Sequence, residues 1–492
     1  MPSKGKVLLI NPNRMKPPVT PVALDHLDQS LRAAGFQVEL LDLAFSTEVA
    51  ADVRRAVRRR PLLVGMTVRN VDDSYLASMD FCLKDTKRIV NLVKSETDAP
   101  IVLGGVGYSI FPVAAAKYCG VDMAIQGEGE IPFVLLAERI RNRENWGDLP
   151  GLVHRCDGLY VANPPYRHDL SKTSLWERRL VDNRRYLREG GMVGFETKRG
   201  CLGSCTYCAD PLAKGRAVVV KPAKDVVREM KGLLAEGIDH FHTCDSEFNM
   251  PAWHAEEVCR EMIRAGMPKK ARWYAYAVPV PFPENLARLM KKAGCVGIDF
   301  GVDHVDPRIL RTLGRVHTES DVLNTARLCH KYGFPFMFDL IIGAPGEDRA
   351  TVREVIEAMK RANPSRVGLS IGVRVYPRTA FVRHIMGEGI TPSNPKRSAG
   401  VPACNPNLRG TVEENPDLLK PIFYLSAKLG EKPQEYIREL VAGDPRFLIG
   451  ETGDAAENYN YNDNSALVQA IKAGYRGAFW DIMRKVEEGI AP

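Results

Sequence analysis

The chain has 492 residues, of which 45% are hydrophobic and 26% are charged, as is ordinary for a globular protein. This length predicts about three domains, and the composition excludes intrinsic disorder, collagen-like repeats and a small disulfide scaffold. Lys and Arg number 68 against 60 Asp and Glu, a net charge of +8 that is mild over this length and gives no indication of nucleic-acid binding.

The sequence also gives an expectation for the cellular compartment of the protein. No apolar run approaches the roughly 20 residues that a membrane span needs, and the apolar stretch after Lys6 is far too short for a signal peptide. We therefore expect a cytoplasmic protein that does not bind membranes. Its 11 cysteines are then expected to be mainly reduced thiols or metal ligands.

The first 165 residues alternate short apolar segments with helical patterns. Strands are predicted at 6–13, 37–43, 61–68, 100–105 and 123–126, and helices at 21–34 and 75–94. This alternation predicts a doubly wound, Rossmann-like parallel sheet, which binds ligands at the carboxyl ends of its strands. Asp157-Gly158 predicts a closing hairpin of strands 152–156 and 159–162. A linker is expected at 166–190.

A second alternating region is expected over 191–385. Its predicted strands are 193–196, 240–244, 272–277, 296–300, 336–342 and 366–373. Six strand–helix units in one run predict a partial barrel of parallel strands. The remainder, 386–492, is expected to form a small, mainly helical domain on the substrate side, with one helix over 464–488.

Three cysteines cluster after the first strand of the second region. They read Cys201-Leu-Gly-Ser-Cys205-Thr-Tyr-Cys208. A zinc site usually takes four Cys or His ligands, and no second ligand pair lies nearby in the sequence. Three thiolates can instead hold a 4Fe-4S cluster and leave one iron open for a further ligand. The sequence therefore predicts such a cluster on Cys201, Cys205 and Cys208.

This spacing, with Tyr207 before the last cysteine, resembles the signature of the radical S-adenosylmethionine (SAM) superfamily. The resemblance implies that SAM chelates the open iron. It also implies a set of SAM-binding residues at strand ends, in which Asp245 and Glu247 are alternatives for the SAM amino group: Tyr207, Asp245, Glu247, Asp299, Gly301, Arg315, Gly343, Pro345, Gly346 and Tyr376. Taken one at a time, such residues also suit turns and helix N-caps.

The first domain carries no GxGxxG after its first strand, as a dinucleotide site would need. Placed before a radical SAM barrel, it resembles the cobalamin-binding domain of the class B, cobalamin-dependent radical SAM methyltransferases. The implied cobalamin residues are Asn11, Asn13, Thr67, Arg69, Asn70, Gly104, Gly105, Val106, Gly107, Gly127, Glu128 and Gly129. A cofactor-free sheet is the alternative.

One feature departs from many cobalamin domains. They carry Asp-x-His-x-x-Gly, whose histidine binds cobalt from below. Here the first histidine is His26, inside a helical pattern, so we interpret it as a residue on a helix face. Cobalamin is then expected to bind with its own base displaced and with no protein histidine on cobalt.

The resemblance implies a C-methyltransferase that moves a methyl group from SAM, by way of methylcobalamin, to an unactivated carbon. We expect the acceptor to be a peptide or protein residue, such as Cα of a glutamine in methyl-coenzyme M reductase. The alternatives are a tryptophan C2-methyltransferase type acting on a small molecule, a rearrangement without methylation, and a non-enzymatic cofactor sensor. An external flavodoxin- or ferredoxin-type electron donor and a monomer are also expected.

The sequence leaves more than one role possible for several aromatic residues and thiols. Tyr459 and Tyr461 lie in a polar loop that either covers the site or is solvated. Strand alternation puts Trp273 on the face opposite to Tyr274 and Tyr276, so one of these sets lines the barrel cavity or both pack in the core. Cys244 and Cys295 are expected to be packing thiols.

Overall fold

The fold is described from a computed structural model that covers residues 4–171, 177–387, 416–450 and 464–492. The predicted loop of Tyr459 and Tyr461, and much of the expected C-terminal domain, lie outside these residues. Within them, no helix combines the length and apolarity that crossing a bilayer requires.

The first domain is a seven-stranded sheet in the order β2-β1-β3-β4-β5-β6-β7. The first five strands in this order are parallel, and β6 and β7 form the predicted antiparallel hairpin. The strands are β1 Lys6–Asn11, β2 Gln37–Asp42, β3 Leu63–Thr67, β4 Ile101–Gly104, β5 Met123–Ile125, β6 Leu152–Cys156 and β7 Leu159–Ala162.

Five helices flank this sheet: α1 Val22–Ala33, α2 Val49–Val57, α3 Leu83–Glu96, α4 Pro112–Cys119 and α5 Glu130–Asn142. α1 packs against α5, while α3 packs against both α2 and α4, which is the doubly wound arrangement that the alternation predicted. β1 is almost wholly buried, as expected of a central parallel strand with helices on both faces.

The predicted helix over 75–94 is wrong in its first half, because α3 begins at Leu83. Asp72 Oδ1 accepts a hydrogen bond from the Ser74 N–H at 2.9 Å, and Asp73 Oδ1 accepts one from the Tyr75 N–H at 3.2 Å. Such local side-chain bonds replace helical ones and hold the backbone in turns.

The second domain contains a sheet of seven parallel strands in the order β18-β15-β14-β13-β12-β11-β8. Two short antiparallel pairs, β9 with β10 and β16 with β17, flank it. The strands are β8 Val193–Phe195, β9 Lys198–Arg199, β10 Val219–Val220, β11 His240–Thr243, β12 Arg272–Ala277, β13 Cys295–Asp303, β14 Phe336–Ile342, β15 Arg366–Ile371, β16 Val373–Arg374, β17 Phe423–Tyr424 and β18 Phe447–Ile449.

The remaining helices are α6 Asn183–Gly190, α7 Asp210–Lys214, α8 Ala223–Ala235, α9 Ala252–Arg264, α10 Glu284–Lys292, α11 Pro307–Leu313, α12 Glu319–Tyr332, α13 Arg349–Ala362, α14 Phe381–Gly387, α15 Pro433–Leu440, α16 Ser465–Lys472 and α17 Phe479–Glu487. α9 shows why they cover the sheet. Its buried Ala255, Val258, Cys259 and Met262 recur at intervals of three and four, which places them on one helix face.

The C-terminal residues depart from the prediction in two ways. The tail adds β18 to the edge of the barrel sheet, beside β15. The single helix expected over 464–488 is instead two helices, α16 and α17. Gly474 and Gly477 between them have φ of +110° and +125°, and a Cβ at Gly477 would meet the Tyr274 hydroxyl at 2.3 Å. The close approach of this backbone to the barrel therefore breaks the helix.

The expected linker is folded in its described part. It contains α6, and Arg178 within it is almost fully buried. Arg178 donates to Asp25 Oδ2 of α1 at 2.6 Å and to Glu229 Oε1 of α8 at 2.8 Å. One hydrophobic core also contains both Leu9 and Phe133 of the first domain and Phe195 of the barrel. The two domains are thus joined by shared packing and by buried charge.

Candidate active site

The three clustered cysteines lie in the loop between β9 and α7. Cys201, Cys205 and Cys208 are each partly accessible. The Gly203 N–H donates to Cys201 Sγ at 3.3 Å and the Asp210 N–H donates to Cys208 Sγ at 3.4 Å. Donors of this kind stabilise thiolates in an iron–sulfur site.

Three thiols on one loop are the donor set that a 4Fe-4S cluster with one open iron requires. Burial raises the pKa of Cys205 to about 11, so the metal-free thiol is protonated at neutral pH and iron must displace its proton. In the described ranges, no three His, Cys, Asp or Glu side chains close around a single metal ion. A cluster is wider than one ion and needs no such convergence.

Arg315 connects the cysteine loop to the end of β13. Its Nη1 donates to Cys205 Sγ at 3.4 Å and its Nε donates to Asp303 Oδ2 at 2.6 Å. Asp303 Oδ2 also accepts from the Tyr207 hydroxyl at 2.6 Å, and Arg315 Nη2 donates to the Gly301 carbonyl. Sequence reasoning missed Asp303. Its position two residues after Gly301 and four after Asp299, at the end of the same strand, was the available signal.

The alternatives Asp245 and Glu247 differ in their hydrogen-bond partners. Asp245 is buried and already saturated, because it accepts from the Thr197 N–H at 2.8 Å and from Lys198 Nζ at 2.9 Å. Glu247 Oε2 has no hydrogen-bond partner among the described residues. Burial raises the pKa of Glu247 to about 8, although Arg315 acts in the opposite direction. Glu247 is therefore the carboxyl group with capacity for a ligand.

A second set of polar side chains lies inside the barrel, beside Gly301, whose carbonyl accepts from Arg315. The Tyr276 hydroxyl donates to Asp339 Oδ2 at 3.2 Å, and its ring lies 3.9 Å from the Cβ position of Gly301. Burial and the neighbouring Asp339 carboxyl raise the pKa of Asp299 well above its ordinary value. A neighbouring carboxyl group disfavours the charged form of the other. Asp339 was missed, although it is the one charged residue in an apolar strand, FMFDLII.

The three aromatic residues of β12 have different surroundings. Trp273 is fully buried and packs on Phe248, with ring centroids 5.0 Å apart. Tyr274 is buried too, and its hydroxyl donates to Asp481 Oδ2 of α17 at 2.7 Å. Tyr276 alone of the three is near the predicted SAM residues.

The predicted glycine-rich turn follows β14. The N–H groups of Gly343 and Ala344 donate to Glu347 Oε2 at 2.6 and 2.9 Å, and Glu347 is fully buried. Gly343 and Gly346, on either side of Pro345, have φ of +111° and +87°, which favours glycine. A Cβ at Gly346 would meet no atom within 4 Å. The turn is therefore rigid, with an open side at Gly346.

Tyr376 connects the barrel to the first domain. It follows β16, and its hydroxyl lies 3.0 Å from Ser74 Oγ. Its ring packs near Phe111 and under the Arg374 guanidinium, which is 4.4 Å from the ring centroid. Tyr376 thus lies where the two domains meet.

A cavity of about 280 Å³ lies between the sheet of the first domain and the cysteine-bearing side of the barrel. The barrel contributes Lys214, Cys244 and Ser246 to it. Seven predicted cobalamin residues line it: Thr67, Gly104, Gly105, Val106, Gly127, Glu128 and Gly129. His26 of α1, which is buried, lines it as well. A Cβ at Gly129 would meet no atom within 4 Å, so this wall leaves room for a ligand.

The other predicted cobalamin residues do not line this cavity. The Asn11 side chain is buried and donates to Asp42 Oδ1 at 2.9 Å and to the Tyr186 hydroxyl at 3.0 Å, and its cobalamin role stays a prediction. A Cβ at Gly107 would lie 2.6 Å from the Arg69 carbonyl, so Gly107 serves the packing of two loops. Asn13, Arg69 and Asn70 lie on the loops after β1 and β3 and stay predictions.

Arg199, two residues before Cys201, joins the cysteine loop to the cavity wall. Its guanidinium donates to Glu128 Oε2 at 3.1 Å, to Glu130 Oε1 at 2.7 Å and to Glu196 Oε2 at 3.0 Å. The Arg199 side chain is 12% exposed. Sequence reasoning missed this network because its carboxylates come from two domains.

Comparison with known proteins identifies the families that the two domains match. The radical SAM superfamily matches residues 195–371 and the B12 binding domain matches residues 13–137. A tryptophan 2-C-methyltransferase from Streptomyces laurentii is 30% identical over 97% of this chain and 95% of its own.

Two solved structures of the methyltransferase TsrM from Kitasatospora setae are also similar. One, with tryptophan and a SAM analogue bound, has a TM-score of 0.88 and 31% identity and covers 99% of this chain and 100% of its own. The other, with cobalamin and a 4Fe-4S cluster bound, has a TM-score of 0.87 and 29% identity and covers 99% of this chain and 98% of its own.

Proposed function

The chain belongs to the class B, cobalamin-dependent radical SAM methyltransferases, and from this premise we propose that it methylates C2 of the indole ring of tryptophan or of a close analogue. The observation that carries the proposal is the hydrogen-bonded group of Tyr276, Asp339 and Asp299 inside the barrel. The expected peptide or protein acceptor finds no comparable support.

The chemistry of the acceptor explains why this group matters. Methylation of an aromatic carbon replaces a ring proton by a methyl group, so a base must take up a proton. Removal of a hydrogen atom from an alkyl carbon needs no such base. As the substrate proton passes to the Tyr276 hydroxyl oxygen, the Tyr276 proton passes to the Asp339 carboxylate, to which Asp299 also donates. A proton relay of this kind suits an indole.

The cofactors of the family are a 4Fe-4S cluster, SAM and cobalamin, which supply the methyl group and the electron transfer when they are bound. Cys201, Cys205 and Cys208 would hold the cluster. Glu247 would receive the SAM amino group in place of the saturated Asp245. The other SAM contacts are proposed at Tyr207, Asp299, Gly301, Arg315, Gly343, Pro345, Gly346 and Tyr376.

Cobalamin would occupy the cavity between the domains, with no protein histidine on cobalt. We assign its domain to 1–165, the radical SAM barrel to 191–385, the connecting segment to 166–190 and the substrate-side domain to 386–492. A small-molecule substrate, an external flavodoxin- or ferredoxin-type reductant and a monomer complete the proposal.

The test is anaerobic incubation of the holoenzyme with reductant, methyl-labelled SAM and either tryptophan or a peptide panel. We expect labelled 2-methyltryptophan and S-adenosylhomocysteine in equal amounts, without 5′-deoxyadenosine. Labelled peptide with unlabelled tryptophan would refute the assigned acceptor. Formation of 5′-deoxyadenosine together with methylated product would refute the base-dependent route and indicate hydrogen-atom abstraction.

A further inference from the structure

His26 is a fully buried side chain that the chemistry proposed above does not use. It lies in α1 and lines the cavity between the domains. It is 1% exposed, and its Nε2 has no hydrogen-bond partner among the described residues. Buried polar atoms nearly always have a partner, so this nitrogen suggests that a ligand supplies one.

The neighbours of His26 determine which nitrogen carries its proton. Arg199 Nη2 lies 3.3 Å from His26 Nδ1. A guanidinium can only donate, and its bonds to Glu128, Glu130 and Glu196 hold this one in place. Nδ1 is therefore the acceptor. The nearest carboxylate oxygen, on Glu196, is 3.8 Å from Nδ1, too far to accept a proton from it.

The ring is neutral, because burial and the cations Lys221, Arg199 and Arg178 lower the pKa of His26 well below its ordinary value. A neutral imidazole that accepts at Nδ1 carries its proton at Nε2. The His26 Nε2–H is thus a buried donor without an acceptor among the described residues, on a side chain that lines the cavity, and a ligand can supply the acceptor atom.

Part of the cavity wall is apolar. It is formed by aliphatic and aromatic side chains from β1, α1, β4, β5 and α5: Leu9, Leu24, Leu27, Val102, Ile125 and Phe133. Gly65 and Gly104 add two strand positions without a side chain. Apolar side chains beside the His26 donor suit a flat heteroaromatic ring that carries one unprotonated nitrogen.

We propose that His26 Nε2 donates a hydrogen bond to the ring nitrogen of the lower benzimidazole base of cobalamin, held in this part of the cavity away from cobalt. The proposal rests on the cobalamin site assigned above. His26 is thereby a residue that selects corrinoids by the base of their nucleotide and does not ligate the metal.

The test compares three corrinoids with the wild-type protein and with two variants. Cobalamin carries the ring nitrogen, p-cresolylcobamide keeps a nucleotide with an aromatic base that lacks it, and cobinamide has no nucleotide. Kd is measured from absorbance changes on anaerobic titration of protein that carries its 4Fe-4S cluster. Cobinamide binding and cluster content show that each variant is folded.

The hydrogen bond should make the wild type bind cobalamin about ten-fold more tightly than His26→Phe does, and comparing the two proteins with the same corrinoid cancels the cost of displacing the base from cobalt. p-Cresolylcobamide and cobinamide should bind both proteins equally well, and His26→Gln, which keeps an N–H donor, should restore part of the cobalamin affinity. An unchanged cobalamin affinity in His26→Phe, or an equal loss for all three corrinoids, would overturn the proposal.

The EPR spectrum of the bound cob(II)alamin gives a second readout. We expect no nitrogen superhyperfine splitting from an axial ligand. A splitting that His26→Phe removes would make His26 a cobalt ligand and overturn the proposal. Failure of the wild type to bind any corrinoid would instead overturn the cobalamin site itself, so the two failures are distinguishable.

Discussion

The buried ion pair between Arg374 and Asp72 is expected to make the two domains unfold together. Arg374 Nε and Nη2 donate to Asp72 Oδ2 at 3.0 and 2.6 Å, and the two side chains are 5% and 0% exposed. Arg374 belongs to β16 of the barrel, and Asp72 follows β3 of the first domain. Removal of either charge leaves the other buried without compensation.

Breaking one partner of a buried pair costs about 3–5 kcal/mol. We therefore expect D72N and R374M each to lower the free energy of unfolding by about this amount. Because the two domains unfold as one unit of 492 residues, the entropy of unfolding is about 1 kcal/mol/K, and 3–5 kcal/mol corresponds to a fall in Tm of roughly 3–5 °C. Because each single variant removes the same interaction, the loss in the double variant should fall short of the sum by roughly 2–3 kcal/mol.

The measurement is urea and thermal unfolding of the holoenzyme and its variants, followed by tryptophan fluorescence. The matched control is E96Q, which breaks the exposed pair of Glu96 with Arg54, 2.8 Å apart with side chains 27% and 51% exposed, and should change stability by less than about 0.5 kcal/mol. Strictly additive losses, or a D72N effect no larger than that of E96Q, would refute the reasoning.

Three further outcomes are expected. Tyr276→Phe should lower kcat for tryptophan methylation by about 100-fold or more with cofactor content unchanged. The control, Tyr274→Phe, should change the free energy of unfolding but not kcat. Similar kcat values in the two variants would refute the proton relay. Gly129→Leu should abolish cobalt binding without unfolding the protein, because Gly129 has an ordinary φ of −97° and its Cβ position is open. Gly232→Leu, equally open but on the surface of α8, should bind cobalt normally, and cobalt retained in both would contradict the assigned cavity. Burial raises the pKa of Asp73 to about 6, so the native state binds more protons than the unfolded state between about pH 4 and 6, and the free energy of unfolding falls across that window as pH rises. D73N should therefore gain more stability at pH 7.5 than at pH 4.5, as measured from urea midpoints. A pH-independent difference would show that Asp73 titrates normally.

The elements that could be predicted are those set by local sequence. Asp157 and Gly158 both adopt positive φ, at 48° and 83°, as a two-residue hairpin turn requires, and strands β6 and β7 have the predicted bounds. The apolar strands of both sheets and the three cysteines followed in the same way, from periodicity and spacing within a few residues.

The local sequence does not show features that depend on residues distant along the chain. Asp245 and Glu247 are two positions apart, and nothing local shows that Lys198 saturates the first and leaves the second with capacity. Asn11 lies at the end of a parallel strand, where ligand-binding residues are often found, but its side-chain amide donates to the hydroxyl of Tyr186 in α6. The break between α16 and α17 likewise depends on the approach of Gly477 to Tyr274.

The bonds of Arg199 have a consequence for how the enzyme is loaded. Because Glu128 both lines the cavity and binds Arg199, two residues before Cys201, a corrinoid that fixes the Glu128 loop also fixes the start of the cysteine loop. Linkage is reciprocal, so each cofactor should tighten the retention of the other. Cells short of vitamin B12 are then expected to yield protein poor in iron as well as in cobalt, and corrinoid supply during expression becomes a means of controlling cluster content.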